Sequence, residues 1–170
     1  AIGGLNQMVF LRDKIQDPEL LAILDRQYAF MLDEYNITQE AYKTGHDPKH
    51  PTRSYKMQMS NETEYGLKPG QPKKPIQSAQ EFNDEIISGV LLGIHKVGAT
   101  GKTAAALEST NPVVRRVLQD SVPNCVEMAY ELSLYQNKRG YYQVPKLSPT
   151  DMTTMLTAYG QAEGAKNMPN

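Results

Sequence analysis

The chain has 170 residues, 18 basic and 19 acidic side chains, 39% hydrophobic residues, a single cysteine and no tryptophan. That length buries a core without a metal or disulfide staple, and a near-zero net charge without a sustained basic run gives nonspecific nucleic-acid binding little electrostatic support. With no stretch of 18 apolar residues and no basic-then-apolar leader, membrane insertion is not expected, and an intracellular, water-facing origin is.

In chain order, Leu5, Met8, Leu11 and Ile15 form a weak helical pattern that ends before Asp17-Pro18. Asp17 can cap the helix that follows and Pro18 suits its first turn, because the missing N–H is not needed there. Leu21, Leu24, Tyr28, Met31, Leu32, Tyr35 and Tyr42 then give an apolar face through about Lys43, widened by Leu20, Ile23, Phe30 and Ile37. Asp33, Glu34 and Glu40 are read as solvated flanks. From Thr44 to Gln80 periodicity disappears among five prolines and three glycines, so an extended crossover without regular structure is expected. His46, Asp47 and His50 fall in this proline-broken stretch and are read as exposed side chains, not as metal ligands.

Helical spacing resumes after Ser78, with Glu81 placed for a capping box. Phe82, Ile86, Val90, Ile94 and Val97 keep one phase into Gly98-Ala99-Thr100-Gly101. One helix over about 79–109, bent at those glycines, or two helices parted there, both satisfy the pattern. GATGKT is not a phosphate loop, since the glycine required five positions before Gly101 is Lys96. Asn111 and Pro112 open a further helix, in which Val114, Leu118, Ser121, Cys125, Met128, Leu132 and Tyr135 share a stripe, Pro123 lies off it, and Gly140 is a left-handed stop. Cys125 reads as a small buried hydrophobe. A short last helix from Ser148 or Thr150 aligns Met152, Met155, Leu156 and Tyr159, before Gly160, Gly164 and a frayed tail to Asn170.

Superposing Asp17-Pro18 on Asn111-Pro112, a displacement of 94 residues, brings Leu24 onto Leu118 and Met31 onto Cys125. Two hairpins over 4–44 and 79–139, a crossover over 45–78 and an extension over 140–170 then make a single all-α domain. Short turns within each hairpin and one long crossover between them describe a ferritin-like four-helix bundle. The first helix is the short member of that set, and the last short helix is expected to cover the gap.

A di-iron bundle needs inward carboxylates and paired Glu-x-x-His motifs, and the chain has no Glu-x-x-His. No metal or other cofactor is therefore expected, and no catalytic triad, thiol–imidazole pair or zinc spacing suggests an enzyme. Glu108 keeps the apolar phase, so with Asn111, Pro112 and Arg115, or Arg116, it is expected to form a charged clamp across the hairpin turn.

The run Ala104-Ala105-Ala106-Leu107-Glu108-Ser109-Thr110-Asn111-Pro112, then Arg115, and above all Tyr135-Gln136-Asn137-Lys138-Arg139-Gly140-Tyr141-Tyr142 ahead of Val144-Pro145, resembles the spore coat protein F family of endospore-forming bacteria. The resemblance covers about residues 83–147, and this chain has Tyr141 where family members often have tryptophan. It implies a ferritin-like structural protein made in the mother cell and carried into the spore coat, with other coat proteins as partners and scope for a homo-oligomer. Tyr130, Tyr135, Gly140, Tyr141 and Tyr142 would then form an assembly edge. The alternatives are a metal-binding redox enzyme on the same bundle, or a helical adaptor that docks a partner through the crossover.

Overall fold

A computed structural model describes residues 1–162 and 164. Five α-helices and one 3-10 turn account for its regular structure: α1 (Ile2–Arg12), α2 (Pro18–Thr44), the turn Ala79–Glu81, α3 (Asp84–Glu108), α4 (Pro112–Lys138) and α5 (Pro149–Thr157). The architecture is all-α, and among the described residues the only strand-like pairing is an isolated bridge between Tyr65 and Val144.

The helix starts follow from their caps. Asp17 accepts from the Glu19 N–H with Pro18 in the first turn, and Asn111 accepts from Val113 and Val114 with Pro112 in the same place. α2 and α4 are each 27 residues long and superpose end to end at the 94-residue displacement. α3 starts later than the spacing predicts. Ser78 and Glu81 bond each other and hold only the 3-10 turn, and the helix begins after Asn83, which caps the Ile86 N–H. From there it runs unbroken through Gly98–Gly101. α4 likewise continues through Pro123, whose exposed position leaves the orphaned Gln119 carbonyl facing water.

Helix packing runs around a square: α1 against α2, α2 against α4, α4 against α3, and α3 against α1. The start of α2 meets the end of α4 through Asp17 and Arg139, and its end meets the start of α4 through Gly45 and Asn111, so the two are antiparallel. The Asp84 carboxylate accepts the Gln16 and Asp17 N–H groups, tying the starts of α2 and α3 together. This is the four-helix arrangement expected of two hairpins and a crossover. α1 is 11 residues long against 25 for α3, and it crosses close to it: a side chain at Gly4 would strike Ile94 at 2.9 Å.

The core has two apolar parts. One gathers Met8, Leu11, Leu20, Ile23, Leu24, Ile87, Leu91, Leu92, Leu132 and Tyr135 near the start of α2, and a smaller one gathers Ile37, Ala41, Val114 and Val117 near its end. α5 packs against none of the other helices, so it does not cover the gap beside α1. Of the tail expected to fray, Glu163 and residues 165–170 lie outside the described residues.

Candidate functional site: a polar layer, a strap and a latch

Between the two apolar clusters the three long helices each contribute two polar side chains seven residues apart: Gln27 and Glu34 from α2, His95 and Lys102 from α3, Asn124 and Glu131 from α4. Seven residues is close to two helical turns, so each pair shares a face and the six meet at mid-bundle. All are buried except Lys102, which is partly so.

Glu131 is fully buried and accepts from Arg26, from the Tyr55 hydroxyl, from Gln27 at 3.0 Å and from the Gln58 N–H at 2.9 Å. Burial alone would raise this carboxyl, but the hydrogen bonds from Tyr55, Gln58, Gln27 and Arg26 outweigh it and hold it below its ordinary value. Burial and the neighbouring Glu131 push the Tyr55 phenol well above the usual range, so it stays a donor. Glu34 pairs with Lys102 at 2.8 Å and also accepts from Asn124.

Gln27 directs its amide N–H groups to Glu131 and to the Met128 carbonyl, which leaves its oxygen to accept from His95 Nε2 at 2.8 Å. The imidazole therefore carries its proton on Nε2, and Nδ1 is a buried lone pair without a partner among the described residues. Burial, with Lys102 nearby, pushes its pKa down to about 4 against a smaller opposing pull from Glu131. His95 is neutral at physiological pH.

The crossover lies along α4 as a strap. Its Tyr55 N–H donates to Asn124, its Gln58 N–H to Glu131 and its Glu64 N–H to Asn137. Asn124 also donates to the Arg53 carbonyl, and Asn137 to the Glu64 and Tyr142 carbonyls. Backbone groups without secondary structure need such partners, and side chains six and seven residues apart on α4 supply them. Tyr55 itself is buried, its ring edge-on to Phe30.

The aromatic cluster closing α4 is a latch. Arg139 lies over the Tyr135 ring at 3.9 Å and donates to Asp17 and Glu19, while the Tyr135 hydroxyl donates to Asp17 at 2.9 Å. Burial of Asp17 is outweighed by the Glu19 N–H, Tyr135 and Arg139, so this carboxyl stays below its usual value. Gln136 reaches Ser88 on α3. Gly140 takes φ +73°, which favours glycine, and lets the chain fold back so that the Tyr141 N–H reaches the Gln136 carbonyl.

The predicted clamp forms differently. Asn111 and Pro112 start α4 as expected, and the Asn111 amide bridges to the Gly45 carbonyl at 3.3 Å. Glu108 and Arg115 are exposed and form no ion pair with a described residue, whereas Arg116 pairs with Asp47. The apolar phase assigned to Glu108 is taken by the buried Ala106, so the glutamate is left in water at the helix end. Within the predicted tyrosine edge, Tyr135 is 0% exposed and belongs to the core. Tyr130 and Tyr142 are on the surface, bonded to Asn61 and stacked under Lys96, and Tyr141 is half-buried beside Tyr135. Two further readings are corrected: Glu34 is buried and bonded, not a solvated flank, and His50 is half-buried with Nε2 3.2 Å from Asp33, not an exposed side chain.

Among the described residues no three His, Cys, Asp or Glu side chains are placed to share a metal, and no helix is long and apolar enough to cross a membrane. The two core carboxylates face Lys102 and Arg26 instead, a neutral balance of two anions and two cations.

Comparison with known proteins bears on the same residues. A model of the Coat F domain matches residues 83–145, from the Asn83 cap of α3 to just past the latch. Over 160 residues, 94% of this chain and 74% of the relative, the chain is 49% identical to the spore coat protein F-like protein YhcQ of Bacillus subtilis strain 168. No solved structure matches it.

Proposed function

The chain belongs to the Coat F family, and from that premise we propose that it is a structural protein of the bacterial spore coat, acting through protein–protein assembly. The observation that supports this best is the identity of 49% extending over almost the whole chain to a relative named for the spore coat. The polar layer agrees with it: its carboxylates are neutralised by protein cations, and Glu131 and Asn124 accept from the strap's Tyr55 and Gln58, which builds a rigid body. Neither carboxylate of the layer is left for the metal-binding redox alternative. What such a body offers a partner is its surface, and Tyr130 and Tyr142 at the strap and latch supply aromatic area with a polar edge.

On this reading residues 1–170 work as one helical unit, made in the mother cell and laid down with other coat proteins, without a nucleic-acid partner. The test is a fluorescent fusion of the full-length protein followed through sporulation, with coat extracts probed in parallel. Signal concentrating around the forespore and protein recovered in the coat fraction are expected. Uniform cytosolic signal throughout sporulation overturns the proposal.

A further inference from the structure

Past the Tyr65–Val144 bridge the crossover changes character. Residues 67–76 run without a turn or bend, and residues 67–75 are all exposed. The sequence dictates this shape. Pro69, Pro72 and Pro75 fix φ at about −65°, and Lys68, Gln71 and Lys74, each ahead of a proline, are driven out of the helical region into extended backbone. All three prolines follow trans peptide bonds. Residues 68–75 therefore form a polyproline II ridge, and at about 3.1 Å per residue Pro69 and Pro75 lie about 19 Å apart.

Three residues per turn sort the side chains onto three edges. Gly70, Lys73 and Ile76 make the edge toward the bundle: Lys73 Nζ donates to the Tyr141 carbonyl and pairs with Glu85 at 2.6 Å, and Ile76 is partly buried. Pro69, Pro72 and Pro75 make a second edge, and Lys68, Gln71 and Lys74 the third, both in water. Gln143 holds the start of the ridge, its amide accepting from the Lys68 N–H and donating to the Lys68 carbonyl at 3.1 Å. Among the described residues the carbonyls of 69–76 accept no hydrogen bond, so the ridge also presents backbone acceptors.

We propose that residues 68–75 are a preformed polyproline ligand for another protein, whose groove is floored by aromatic rings and rimmed by carboxylates. Each feature of that groove answers an edge of the ridge. Proline rings spaced every three residues are read by aromatic side chains, and Lys74, two residues beyond Pro72, asks for a carboxylate beside them. Lys68 on the same edge is 82% exposed and only 3.9 Å from Glu64, so it too is available. The anchors at Gln143, Tyr141 and Glu85 order the ridge before it binds, which removes a cost that a loose segment would meet on docking. The contact supplies the chemistry of one partner and rests on the assembly reading for that partner's being a coat protein.

The probe is an isolated SH3 domain with an acidic rim, titrated into the isotope-labelled full chain. Amide shifts confined to residues 68–77 and to the anchors at 141–143 are expected. Pro69→Ala combined with Pro72→Ala is expected to weaken binding about tenfold or more, in a chain that melts as the wild type does, because both prolines are exposed. Gln143→Ala leaves every edge residue in place and is expected to weaken binding about twofold or more by freeing the start of the ridge. No shift in the titration, shifts elsewhere on the bundle, or an affinity indifferent to the proline pair and lost only on adding salt, each overturns the proposal. In sporulating cells a fluorescent fusion carrying the two proline substitutions is expected to reach the coat fraction less than the wild type does. Equal recovery of the two overturns the contact and leaves the coat assignment standing, whereas a wild-type fusion that never gathers at the forespore overturns the coat assignment while the titration still decides the ridge.

Discussion

Replacing Glu131 tests whether the polar layer holds the strap. Truncation by Glu131→Ala removes the acceptor for Arg26, Gln27, Tyr55 and the Gln58 N–H together. Breaking a buried pair by deleting one partner costs about 3–5 kcal/mol, a large share of the ~5–15 kcal/mol that holds an ordinary domain folded. Glu131→Gln keeps the shape and one carbonyl oxygen but strips Arg26 of its counter-charge, for about 2 kcal/mol. Urea unfolding followed by far-UV circular dichroism reads both losses.

Hydrogen exchange then locates them. The Gln58 amide should lose protection in either variant, while the Tyr55 amide, held by Asn124, should lose it only where Tyr55 also leaves its pocket. Adding Arg26→Met to Glu131→Leu should recover only part of the loss, because no charge is then buried alone but the Tyr55, Gln27 and Gln58 donors still lack their acceptor. A loss below about 1 kcal/mol for Glu131→Ala, or one spread evenly over the amides, would refute the strap as a unit fastened at this carboxylate.

Three further outcomes follow from other parts of the site. Between pH 6.5 and about 4 the unfolded chain protonates His95 while the folded chain does not, so the unfolded state binds more protons and stability falls with falling pH, by about 3 kcal/mol in all; His95→Gln should flatten that limb in urea titrations across this range. The depressed carboxyls of Glu131 and Asp17 act lower, their contribution being complete above their unfolded values and lost as pH falls through the folded ones. Asn137→Ala removes three bonds, to the Glu64 N–H, the Glu64 carbonyl and the Tyr142 carbonyl, and should cost about 2–3 kcal/mol, with the Glu64 amide freed in hydrogen exchange. At the hairpin turn, Asn111→Ala should cost about 1–2 kcal/mol, whereas Glu108→Ala should stay within about 0.5 kcal/mol in thermal melts.

The ends of α2 and α4 are legible in sequence because capping is local: Asp17-Pro18 and Asn111-Pro112 mark their starts and Gly45 and Gly140 their stops, each by chemistry confined to one turn. The start of α3 is harder to read because Ser78 and Glu81 satisfy the same capping pattern over a single 3-10 turn, and only Asn83 has a full helix behind it. The polar layer is hidden for the opposite reason. Within one helix, Glu34 or Glu131 looks like a flank of an apolar stripe, and the partners that bury it lie 68 residues away in Lys102 and 105 away in Arg26.

One signal does survive in the sequence. Gln27/Glu34, His95/Lys102 and Asn124/Glu131 repeat the same seven-residue interval on three helices, and a polar pair at that interval inside an apolar stripe belongs to a core, not to a surface. The interval also accounts for the layer's presence. Apolar ridges alone tolerate a slip of one helical turn, but here a slip of about 5.4 Å would carry Glu131 away from Arg26, Tyr55 and Gln58 into the leucine cluster below. A charge stranded there costs several kcal/mol, so the layer sets the register of α2, α3 and α4. That register brings Asn137 level with Glu64 and Arg139 level with Asp17, closing strap and latch at once. The Coat F segment contains two of the three helices that carry the layer and the α4 side of the latch, whose Asp17 and Glu19 partners come from α2.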